Sequence, residues 1–65
     1  QVEEGVWQFQ RVLQMNPGHS NARFSLGAAL EKQGKIQEAI QEFEKVLELN
    51  PGNEAVIQKL QGLKK

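Results

Sequence analysis

Glu38-Ala39-Ile40-Gln41-Glu42-Phe43-Glu44-Lys45-Val46-Leu47-Glu48-Leu49-Asn50-Pro51-Gly52 is the stretch that decides the fold. Ile36, Ala39, Ile40, Phe43, Val46 and Leu47 recur at steps of three and four, which predicts one apolar helix stripe. Gln37, Glu38, Gln41, Glu42, Glu44, Lys45 and Glu48 fill the opposite, solvated face. The helix should stop near Asn50, because a residue before proline is pushed out of the helical region. Gly52 then permits the turn.

The same text occurs once more. Glu4 to Gly18 aligns with Glu38 to Gly52 at an offset of 34, with seven of fifteen pairs identical. Val2, Gly5, Val6, Phe9, Val12 and Leu13 form the equivalent stripe, and the Asn16-Pro17-Gly18 stop falls in register. Chance similarity between Gln- and Glu-rich helices would not reproduce that stop. Between the copies a helix from about Asn21 to Gln33 is expected, capped by His19, Ser20 or Asn21 and ended at Gly34. It is apolar nearly all round, so it should be buried between neighbours. A last helix runs from Glu54, with Asn53 as N-cap, to about Leu63, with Val56, Ile57, Leu60 and Leu63 as its stripe. Lys64 and Lys65 place cations at its C-terminal dipole. The expected fold is all-α, with four antiparallel helices at about 2–15, 21–33, 36–49 and 54–63.

Composition bounds the function. The 65 residues are one small domain at most, and a 38% hydrophobic fraction supports only a thin core. Stability should be a few kcal/mol. Zero Cys excludes a disulfide scaffold, a thiolate metal site and a thiol nucleophile, and a single His excludes a multi-histidine site. Eight basic residues balance eight acidic ones, without the excess of a nucleic-acid module. No apolar run approaches the roughly 20 residues of a membrane span, and no signal peptide is visible. No triad, phosphate loop or inward pair of carboxylates is present, so neither catalysis nor a cofactor is expected. Gln1 in place of Met is expected of a chain cut from a longer protein or processed. The compartment stays open, with the cytoplasm favoured.

Ser20 to Asn53 resembles a tetratricopeptide repeat, a 34-residue helix–turn–helix unit. The resemblance is carried by Leu26-Gly27, Leu30, Gly34, Ala39, Phe43, Val46-Leu47 and Pro51. It implies an α-solenoid fragment over 1–65. Residues 1–19 would be the second helix of a preceding repeat, 20–53 a full repeat, and 54–65 a C-terminal capping helix. Gly27 and Ala39 would sit where the helices come closest, and Leu26, Leu30, Phe43 and Val46 would fill the seam. Arg23 stands where the family often has a large apolar side chain; its stem is expected to cover the seam while its guanidinium reaches water. Gly5 replaces an alanine of the motif. Gln61 and Lys64 replace a glycine and a core residue, which reads as a solvating cap.

The resemblance further implies a protein–protein interaction scaffold whose first helices line a peptide groove. Carried over by position, that groove would be Asn21, Phe24, Ala28 and Glu31, adjoined by Gln58, Lys59 and Gly62. Members that clamp C-terminal carboxylates use Lys and Asn at two of these positions, where this chain has Phe24 and Ala28, which argues against a clamp. The bland alternative for Phe24 and Ala28 is packing against the last helix. A second reading is self-association into a homodimer through Val2, Gly5, Val6, Trp7 and Phe9 of the first helix. Trp7 is either an exposed contact or a ring folded over its own helix. RNA reading by a related 35-residue repeat is disfavoured by neutral charge and period. His19 reads as an exposed loop residue, and Glu38, Glu42, Glu44 and Glu48 as a solvated face, in preference to metal ligands.

Overall fold

A computed structural model describes residues 2–64, and their side chains from Gly5 onward. It contains α1 (Val2–Met15), α2 (Ser20–Lys32), α3 (Ile36–Leu49) and α4 (Glu54–Leu63), with no strand among the described residues. The expected bounds hold for three helices. The second begins and ends one residue earlier than its periodicity suggested. The start is set by His19, whose Nδ1 accepts the backbone N–H of Ala22 at 3.1 Å and makes it the N-cap, and the end by Gln33 as C-cap. His19 is exposed, as expected, but it has this structural task.

Successive helices pack side by side, so α2 lies between α1 and α3 and α3 between α2 and α4. The fold is thin, with extents of 28 × 24 × 14 Å. No helix is long and apolar enough to cross a membrane among the described residues.

The turns repeat bond for bond. Asn16 N–H donates to Val12 O at 2.8 Å, and Asn50 N–H to Val46 O at 2.8 Å. His19 N–H reaches Asn16 O at 3.0 Å, and Asn53 N–H reaches Asn50 O at 3.1 Å. Asn53 Oδ1 caps Val56 N–H at 3.2 Å, as His19 caps Ala22. The α2–α3 turn is different. Gly34 takes φ +81°, where a side chain would be strained, and closes a Schellman motif. Lys35 N–H donates to Leu30 O at 2.9 Å and Gly34 N–H to Glu31 O at 3.0 Å.

The core joins Leu13, Ala22, Leu26, Leu30, Ala39, Ile40, Phe43, Val46, Val56 and Leu60. Its centre is the fully buried Phe43 ring. A Cβ on Gly27 would lie 2.7 to 3.0 Å from three Phe43 ring atoms, so the ring rests directly on the α2 backbone. The closest approach expected of Gly27 and Ala39 is thus completed by Phe43, with Ala39 and Val46 also fully buried. Phe24 stacks on the other side of the seam, 5.3 Å from the Phe43 centroid and tilted by 57°.

Glycine-to-alanine substitutions test this packing. In an open helix the exchange stabilises by about 0.5–1 kcal/mol, and Gly62, with nothing near its Cβ, should gain up to that. Gly27→Ala should instead lose about 1–2 kcal/mol, because overpacking outweighs propensity. Phe43→Ala should cost about 3–5 kcal/mol and leave the chain largely unfolded. Urea denaturation followed by circular dichroism reads all three; a Gly27→Ala protein as stable as the parent would contradict the seam.

Candidate functional site

The α2 helix carries one expected face, Asn21, Phe24, Ala28 and Glu31, and the structure divides it. Phe24 and Ala28 open into an apolar recess of about 290 Å³ between α1 and α2. Its other walls are Gly5 and Phe9 of α1 and Ser25, Ala29 and Lys32 of α2. Glu31 turns to α4, where Lys59 Nζ lies 3.0 Å from its Oε1. Both side chains are partly exposed, so this ion pair contributes at most about 1 kcal/mol. Asn21, Gln58 and Gly62 stand on open surface. The seven groove positions therefore do not enclose one cavity. Two line the recess, two are joined in the ion pair and three remain open. Phe24 packs on Phe43 of α3.

The recess brings together residues that sequence reasoning had assigned to different surfaces. Gly5 and Phe9 were candidates for self-association, yet they share its walls with Phe24 and Ala28. Ser25, Ala29 and Lys32 were not anticipated. Their spacing of four and three places them on one helix face next to Phe24 and Ala28, and that signal could have found them. Val6 is half-buried against the core, whereas the Val2 side chain lies outside the described residues.

Trp7 is 57% exposed, and the Arg11 guanidinium sits over its ring, 4.9 Å from the centroid. The ring thus meets its own helix through a cation one turn away and keeps most of its surface in solvent.

Arg23 and Glu42 depart from their expected settings. The Arg23 side chain keeps 14% exposure, and its guanidinium is held by protein acceptors. Its Nη1 donates to Glu42 Oε1 at 2.9 Å and its Nη2 to Pro17 O at 3.1 Å. Glu42 is consequently half-buried and outside the solvated face, with Lys45 Nζ 3.9 Å from its second oxygen. Glu44 accepts from Lys64 Nζ at 2.7 Å. Among the described residues no three His, Cys, Asp or Glu side chains gather as metal ligands. Lys65 lies outside the described residues.

Arg23 ties the first turn to α3, so Arg23→Ala should destabilise the fold by about 1–3 kcal/mol by leaving the half-buried Glu42 carboxylate with only Lys45, 3.9 Å away, as a partner. Lys59→Ala should cost less than about 1 kcal/mol. Chemical denaturation of both variants decides whether the ranking holds.

Comparison with curated proteins finds no match to the chain. The family model described as tetratricopeptide repeat matches residues 20–53. That segment is the unit α2–turn–α3, with Gly27 against Phe43 at its seam and the Gly34 turn between its helices. More than half of the sequence lies within the match, and the chain belongs to the tetratricopeptide repeat family.

Proposed function

We propose that the chain is a non-catalytic scaffold that presents the α1–α2 recess, and the open face of α2 and α4 beside it, to a peptide or partner protein. Tetratricopeptide repeats mediate protein–protein interactions and are generally non-catalytic. The observation that carries the reading is the recess itself: its walls are chiefly apolar, come from two helices, and include Phe24 and Ala28 at the expected groove positions. The binding surface is then Asn21, Phe24, Ala28, Glu31, Gln58, Lys59 and Gly62, extended by Phe9, Ser25 and Ala29. Recognition would rest on burying an apolar anchor, with Asn21 and Gln58 as polar rim. Residues 54–65 would serve as a cap, since Gln61 and Lys64 are exposed where a further helix would need small or apolar side chains.

Homodimerisation through α1 is the second reading. It draws on Trp7 at 57% and Val12 at 38% exposure. Sedimentation that shows a monomer at both micromolar and millimolar concentration would remove it.

The scaffold reading is tested by selecting displayed peptides on the chain and counter-selecting on Ala28→Arg, which fills the recess with a charged side chain. Apolar peptides should be enriched on the parent and bind the variant at least about tenfold more weakly, a difference of about 1.4 kcal/mol. Helicity should be equal in the two proteins. Peptides that bind both equally would argue against the recess.

A further inference from the structure

The outward sides of α1 and α3 can be compared residue by residue, because the two helices stand 34 positions apart in the same unit. On α3 the outward registers hold Gln41, Glu42, Glu44, Lys45, Glu48 and Leu49. On α1 the same registers hold Trp7, Gln8, Gln10, Arg11, Gln14 and Met15. Each carboxylate has become its amide, and one amide has become an indole. From Gly5 to Met15 the only charged residue is Arg11. All six α1 residues are exposed, Trp7 by 57% and Met15 by 85%.

These six lie on the side of α1 away from the buried Leu13 and from Phe9 in the recess. The face is therefore separate from the groove. Its composition matches the centre of a protein interface, which is poor in charge and rich in Trp, Met and Arg. The fold itself does not require the exchange, since α3 carries carboxylates at the same registers.

The chemistry also selects the partner. An ionised carboxylate only accepts hydrogen bonds, whereas an amide both donates and accepts, so Gln pairs with Gln while Glu repels Glu. A face that has exchanged carboxylates for amides is complementary to itself. We infer that the Trp7 face of α1 docks against the same face of a second copy, as an antiparallel helix pair about a two-fold axis. The inference rests on the second reading above, pairing of copies through α1, and moves the contact from Gly5, Val6 and Phe9 to the solvent side.

With the axis beside residue 9, Trp7 of each copy meets Arg11 of the other. The cation–π contact that each chain makes within itself, at 4.9 Å, is thereby repeated across the pair. Gln8 lies beside Gln8 of the second copy on one flank, and Gln10 beside Gln10 of the second copy on the other. Carboxylates at these two positions would set like charges together. Such an isologous contact closes on itself, so assembly stops at the dimer. One helix face covers less than the roughly 800 Å² per partner of a standard interface, so the dimer is weak, with a Kd of about 0.1–1 mM.

The test is a concentration series of the isotope-labelled 65-residue chain from about 20 μM to about 2 mM, followed by side-chain shifts and by sedimentation. The Trp7 indole N–H and the Gln8 and Gln10 amide groups should shift together as the mass rises toward a dimer. The Phe9 and Phe24 rings and the Ala28 methyl should stay in place. Combining Gln8→Glu with Gln10→Glu restores the α3 charges and should weaken pairing at least about tenfold, with helicity unchanged. Trp7→Gln, which installs the α3 residue of that register, should do the same. A monomer throughout overturns the inference and the second reading with it. A dimer whose shifts centre on Phe9, or that both variants leave intact, overturns this face and leaves the second reading standing.

Discussion

A phenyl ring lying on a bare stretch of helix backbone holds this fold together. Phe43 can be fully buried because residue 27 has no side chain, and Ala39 and Val46 close around it. A small protein has few ways to bury so large a group. With a core of about ten residues, the loss of one ring approaches the whole margin of stability. The close approach also fixes the spacing of α2 and α3, and through Phe24 it sets one wall of the recess. The seam and the surface are therefore two sides of one contact.

Much of this architecture is written in local chemistry. The Asn-Pro-Gly stops act through the backbone of the residues that carry them, so both turns were legible from their letters. The apolar stripes gave the helix faces, and every predicted seam residue is buried. The start of α2 was harder to read, because His19, Ser20 and Asn21 can all cap and only the backbone path selects the imidazole.

The surface was less legible than the core. Arg23 and Glu42 lie 19 residues apart on different helices, and no spacing rule couples them. A wheel drawn for α3 alone puts Glu42 with the solvated carboxylates, while the incoming guanidinium draws it partly under cover. The groove positions chosen on α2 follow one spacing, but its neighbours divide them: Phe24 and Ala28 line the recess with Gly5 and Phe9 of α1, while Glu31 pairs with Lys59 of α4. Which neighbour a position meets depends on how two helices pack, which the periodicity of one helix does not encode.

The placement of the one tryptophan also bears on how the protein is observed. Trp7 is the only indole and there is no tyrosine, yet its ring lies mostly in solvent beneath a guanidinium and away from the Phe43 cluster. Its emission therefore resembles that of a water-bathed fluorophore even in the native chain. Loss of the core leaves that signal nearly unchanged, whereas anything that settles over α1 shields the ring and shifts its colour toward the blue.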